Sequence, residues 1–168
     1  MTSARSDADD RGGDLVWHGS AATEAAGHRL AALLRAGDVV VLTGELGAGK
    51  TTFVRGVGDG LGVRGPVTSP TFVIARVHPS LTGGVRLVHV DAYRLGSAGA
   101  LADLDLEAEL DDAVIVVEWG AGKAEFLSED RLELRMERAD DARVVTVVGA
   151  SGRWLDVDAV AVLRGTDE

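Results

Sequence analysis

Apolar positions fall into short blocks broken by glycine and proline, and the blocks alternate between strand-like and helix-like periods. Leu15–His18 reads as a short strand. Ser20 then caps a helix running to about Ala36, with Ala22, Ala26, Leu30, Leu33 and Leu34 on one face and Gly37 as its stop. Val39–Leu42 is a solid apolar strand, followed by a glycine-rich loop and a helix to about Gly60. Pro66–Pro70 forms a stiff connection into a strand at Thr71–Val77, and Val85–Asp91 reads as the next. The link between these two is too short for a crossover, so they are expected to be antiparallel neighbours. Ala98–Leu110 reads as helical, and Ala113–Val117 is a continuous apolar run typical of a central buried strand. Arg131–Glu137 and Arg143–Val148 flank a polar turn and predict a β-hairpin, and a helix over about Trp154–Leu163 closes the chain. With no internal repeat and no linker, the pattern predicts a three-layer α/β domain: a mixed, mainly parallel sheet with helices on both faces. Residues 14–168 are read as this single domain, and the polar, acidic stretch 1–13 as a disordered tail.

Within that pattern, Gly44-Glu45-Leu46-Gly47-Ala48-Gly49-Lys50-Thr51 matches the phosphate-binding loop G-x-x-x-x-G-K-[ST] in full, with a strand before it and a helix after it. The glycines allow successive backbone N–H groups to turn round a phosphate, and the helix N-terminus adds its unpaired amides. Lys50 would reach the β- and γ-phosphates, and the Thr51 hydroxyl would be a Mg²⁺ ligand. The backbone from Glu45 to Thr52 would form the cradle. Of the 17 basic residues only Lys50 and Lys123 are lysines; elsewhere the chain uses arginine, whose planar guanidinium cannot replace a compact ammonium in such a cradle.

Phosphoryl chemistry needs a carboxylate for the metal, usually at the carboxyl end of a neighbouring strand. Glu118, ending Val114–Val117, and Asp91, ending Leu87–Val90, are the two candidates. One would hold Mg²⁺ while the other orients or deprotonates water. Ser69-Pro70-Thr71-Phe72 lies where nucleotide switches often sit, and reads either as a γ-phosphate sensor or as an ordinary turn. Arg94, following Asp91-Ala92-Tyr93, reads either as a source of transition-state charge or as a surface arginine. Trp119 reads as a wall of the nucleotide site or as packing, and His18 and His89 as core or strand-face histidines. The acids between Gly99 and Asp112, unaccompanied by any base, read as a solvated helix face or a docking surface for a basic partner.

Composition narrows the function classes. A net charge of −10 and only seven aromatics argue against a direct nucleic-acid footprint. The absence of cysteine excludes disulfides and thiolate metal sites, and no apolar run approaches the roughly 20 residues that span a bilayer. A cytoplasmic protein without membrane contact is expected. The chain has no Asn and no Gln, which excludes an Asn-Lys-x-Asp guanine reader and a catalytic glutamine, and leaves adenine as the expected base.

Taken in order, Gly44–Thr51 with Thr52-Phe53, then Ser69-Pro70-Thr71-Phe72, then His89-Val90-Asp91-Ala92-Tyr93-Arg94-Leu95, then Glu118-Trp119, the motifs resemble the bacterial TsaE (YjeE) family over about residues 15–164. The resemblance implies a small ATPase of tRNA threonylcarbamoyladenosine formation, working with the transferase TsaD and its companion TsaB. Any tRNA would then be met through that complex. It implies Thr51 and Glu118 as Mg²⁺ ligands, Lys50 as the phosphate lysine, Asp91 as needed for hydrolysis, and Thr71 in a switch-like loop; Ser69, Tyr93 and Arg94 are read beside it as further switch-like candidates. Ala92 and Gly120 depart from the family's usual Leu and Pro, at positions that touch packing and loop stiffness. Two other readings use the same loop: a small-molecule kinase, which would need an arginine-bearing lid, and a binding switch whose hydrolysis is incidental.

Overall fold

Seven strands and four α-helices make up residues 14–165, the part of the chain that the computed structural model describes. The expected tail at 1–13 lies outside the described residues. The strands are β1 (Leu15–His18), β2 (Val39–Thr43), β3 (Ala75–His78), β4 (Arg86–Asp91), β5 (Ala113–Glu118), β6 (Arg131–Ala139) and β7 (Ala142–Ser151). The helices are α1 (Gly19–Ala31), α2 (Lys50–Leu61), α3 (Ala98–Ala102) and α4 (Ala159–Arg164). In the sheet the order is β1-β7-β6-β2-β5-β4-β3. β6, β2, β5 and β4 run parallel, while β1, β7 and β3 pair antiparallel at the flanks. The expected α/β sheet, parallel in its middle, is what forms, and β3 and β4 are antiparallel neighbours as their short link demands.

Strand alternation sorts the core into two layers. Val40, Leu42, Val114, Val116, Leu132 and Leu134 meet Leu30, Phe53, Val57, Trp154 and Leu163 on the face covered by α1, α2 and α4. Val39, Val41, Ile115, Val117, Val88 and Val90 meet Leu101, Leu106 and Leu127 on the other. Among the described residues no helix is long and apolar enough to cross a membrane.

α1 and α2 cross through glycines. A Cβ on Gly27 would collide with the Phe53 carbonyl oxygen, and one on Gly56 with the Glu24 carbonyl oxygen. Alanine is the better helix former by about 1 kcal/mol. Here overpacking outweighs that preference, and Gly56→Ala is expected to lower stability by about 1–3 kcal/mol, read as a lower urea midpoint. A raised midpoint would show that the crossing has slack.

Four expected elements differ in detail. α1 begins at Gly19 with His18 as its N-cap, so Ser20 sits inside the first turn rather than capping it, and the helix ends at Ala31, not Ala36. The Asp38 carboxylate captures the Arg35 amide at 2.7 Å and turns the chain early. The expected strand at Thr71–Val77 starts only at Ala75, because Pro70–Val73 is a turn and Ile74 takes φ 71°. The expected helix Ala98–Leu110 is α3 plus a 3₁₀ turn at Leu106–Asp111, broken where Asp105 adopts φ 54°. Its acids are not one solvated face: Arg86 pairs with Glu109 at 2.7 Å and Asp112 at 2.5 Å. The closing helix is likewise split into a 3₁₀ turn at Gly152–Asp156 and α4, since Asp158 caps α4 by accepting from the Ala161 amide at 3.0 Å.

Candidate functional site

The parallel register brings the chemistry to one sheet edge. Leu42 of β2 stands opposite Glu118 of β5, and Glu118 opposite Asp91 of β4, so the loop after β2 and both acids leave the sheet side by side. Gly44 must be glycine: a Cβ there would strike the Met136 carbonyl oxygen. Gly47 and Gly49 take φ 82° and 96°, and Gly49 is the N-cap of α2, so the loop turns directly into the helix N-terminus.

A cavity of about 450 Å³ opens here. Its walls include Leu46, Gly47, Gly49, Lys50, Thr51 and Thr52 from the loop and α2. Ser69, Thr71, Asp91, Tyr93, Glu118 and Trp119 face them, with Arg143 at the β7 side. Lys50, almost fully buried, folds across the loop and donates to the Gly44 carbonyl at 2.7 Å and the Glu45 carbonyl at 2.9 Å. Its ammonium sits 4.2 Å from the Trp119 ring centroid. Burial pushes its pKa down, and the carboxylates of Glu118 and Asp91 act against that shift.

The Thr51 hydroxyl lies 3.2 Å from both Glu118 oxygens. Buried Glu118 is also held by His89 Nε2 at 2.5 Å. Asp91 is a hub: the Thr71 hydroxyl donates to one of its oxygens at 2.8 Å and the Tyr93 amide to the other at 2.9 Å. Ser69 joins through Thr71, the two hydroxyl oxygens being 2.6 Å apart. Trp119 adopts φ 62°, a costly conformation for a bulky side chain, and its ring packs against Tyr93 at 5.1 Å.

The structure thus gathers Lys50, Thr51, Thr52, Ser69, Thr71, Asp91, Tyr93, Glu118 and Trp119 with the loop backbone. Ala48 instead buries its methyl in the main core, and the Glu45 side chain is exposed while its carbonyl serves Lys50. Arg94 is not among the cavity walls; it is exposed, with its guanidinium 4.8 Å from the Phe72 ring centroid. Sequence reasoning missed three contributors. His89, read as a core or strand-face histidine, lies two residues before Asp91 on the same strand face and so reaches Glu118; the period of 2 was the available signal. Lys123 donates to the Ala92 carbonyl at 3.0 Å, fixing the turn after Asp91. Arg143 comes from the far hairpin, where nothing in the local sequence announces it.

Fold and loop together define an α/β domain of the P-loop NTPase fold class. The sequence model described as "Threonylcarbamoyl adenosine biosynthesis protein TsaE" matches residues 17–145, and the chain belongs to that family. Among its relatives, the Streptomyces coelicolor tRNA threonylcarbamoyladenosine biosynthesis protein TsaE is 65% identical over 145 residues, covering 83% of this chain and 97% of that one. The Bacillus subtilis protein of the same name is 38% identical over 133 residues, covering 79% and 82%. The crystal structure of Bacillus subtilis YdiB superposes with a TM-score of 0.66 at 35% identity, covering 86% of this chain and 91% of that one.

Proposed function

We propose that this chain binds ATP with Mg²⁺ and hydrolyses it as an accessory subunit of tRNA threonylcarbamoyladenosine biosynthesis, the process its family serves. One observation carries the ATPase reading. A glycine loop, an ammonium, a hydroxyl and two strand-end carboxylates converge on one cavity.

The loop amides and the start of α2 would bind the β- and γ-phosphate oxygens, and Lys50 would swing from the Gly44 and Glu45 carbonyls to them. Thr51 and Glu118 are adjacent hard oxygen donors, which fits magnesium, an ion that takes few protein ligands beside phosphate and water. Held by these residues, magnesium would neutralise charge on the phosphate oxygens. His89 keeps the Glu118 carboxylate aimed at Thr51. Asp91 orients the attacking water and accepts its proton, while its link to Thr71 ties the Ser69–Phe72 turn to the state of that carboxylate. Water attacks the γ-phosphorus, the bond to the β,γ-bridging oxygen breaks, and ADP and phosphate leave. No glutamine exists in the chain and Arg94 points away, so turnover by this subunit alone is expected to be slow and TsaD with TsaB to complete the site.

The kinase alternative draws no support from the fold. The segment a lid would require is pinned to the core by buried Leu101 and Leu106. Titration with ATP and Mg²⁺ tests the reading: the wild type binds, and Lys50→Ala loses on the order of 10²-fold or more in affinity. Equal binding by the two proteins would overturn it.

A further inference from the structure

Two cations line the cavity among the described residues, Lys50 and Arg143, and the function above uses only the first. Arg143 belongs to β7, on the opposite side of β2 from the acids. The sheet runs β7-β6-β2-β5-β4, with Glu118 ending β5 and Asp91 ending β4. The side chain lies along the loop: a Cβ on Gly49 would sit 3.1 Å from its Nε and 3.5 Å from its Cδ. Within the described residues it forms no salt bridge, and its one hydrogen bond is from Nη1 to the adjacent Ala142 carbonyl at 3.2 Å. A guanidinium half-buried over a phosphate loop, with no carboxylate to neutralise it, suits an anionic ligand.

We propose that Arg143 is a nucleotide-positioning residue that grips the α-phosphate and the nucleoside attached to it, the part ATP shares with ADP. The inference rests on the nucleotide reading above. The γ-phosphate belongs at the acid end, beside Asp91 and Glu118, and the phosphate chain runs along the loop amides away from them. Its other end therefore emerges on the β7 side, where Arg143 waits. With no Asn or Gln in the chain, an arginine plane is one of the few side chains left to stack on a purine or fork to a phosphate.

The test compares ATP, ADP and inorganic tripolyphosphate, each with Mg²⁺, on the full chain and on Arg143→Ala and Arg143→Lys. Loss of the guanidinium should weaken ATP and ADP by the same factor, about 10- to 100-fold, and weaken tripolyphosphate by less, since its third phosphate takes the α position but carries no nucleoside. The KM for ATP should rise while kcat at saturation falls little, and lysine should restore only part of the affinity. Should the alanine variant melt early, Arg143→Leu keeps the stem over Gly49 and carries the comparison. Unchanged ADP affinity in the variants would overturn the proposal. So would a fall in kcat alone, which would put the guanidinium at the γ-phosphate. A wild type that fails to bind ADP would instead sink the nucleotide reading itself.

Discussion

Asp91→Asn is expected to bind ATP within a few-fold of the wild type and to hydrolyse it on the order of 10²–10⁴ times more slowly, with or without TsaD and TsaB. The isosteric amide can keep both contacts now made by the carboxylate: it accepts from the Tyr93 amide through oxygen and meets the Thr71 hydroxyl through nitrogen. What vanishes is the charge and the proton affinity. Asp91→Ala removes the contacts as well, so a larger defect there than in Asp91→Asn measures how far the Ser69–Phe72 turn depends on this anchor. Single-turnover rates with bound ATP are the proper readout, since they separate chemistry from product release. An asparagine variant that hydrolyses ATP at close to the wild-type rate would remove Asp91 from the reaction. If it hydrolyses slowly yet still supports full tRNA modification with its partners, the chain works as a binding switch.

The second large effect concerns stability. Asp38→Ala is expected to destabilise the domain by about 3–5 kcal/mol, the usual cost of removing one member of a buried ion pair. Asp38 is 1% exposed and precedes β2, yet its carboxylate serves the far end of the chain. It accepts from Arg153 Nε at 2.8 Å and Nη2 at 2.6 Å, from Trp154 Nε1 at 3.2 Å, and from the local Arg35 amide. Arg153 also donates to the Leu33 carbonyl and stacks on Trp154 with its guanidinium 4.5 Å from the ring centroid. Alanine would strand the Arg153 charge and the buried Trp154 Nε1 donor at once, and leave the Arg35 amide without its acceptor. Urea unfolding of the single variant gives the number. A double variant, Asp38→Leu with Arg153→Met, should recover part of the loss, because the desolvation of both charges disappears with the pair. A single-variant loss below about 1 kcal/mol would reduce this staple to a surface ion pair.

The site and the stapled core were not equally readable. Lys50 and Thr51 stand inside a contiguous motif whose glycines have a conformational reason, so eight residues sufficed to point to a phosphate cradle. Glu118 and Asp91 were legible because a strand that ends in an acid is a local pattern, and parallel neighbours bring such ends together. The helical segments were less so. Asp38, Asp105 and Asp158 each redirect the chain, by a side-chain bond to a nearby amide or a left-handed turn, and hydrophobic periodicity does not register such competition. Ile74 and Trp119 take positive φ values that no β-branched or aromatic residue would choose on its own.

By itself the sequence determined the α/β class, the central apolar strands and the phosphate loop, because each is written in a short run where period and residue type agree. Only the tertiary structure decided that Arg143 would lie over Gly49, that His89 would hold Glu118, that Arg94 would turn to Phe72, and that Arg153 would lock onto Asp38. Those pairings join segments up to 115 residues apart. They follow from strand order and register, which the packing of the whole sheet selects and no local stretch encodes.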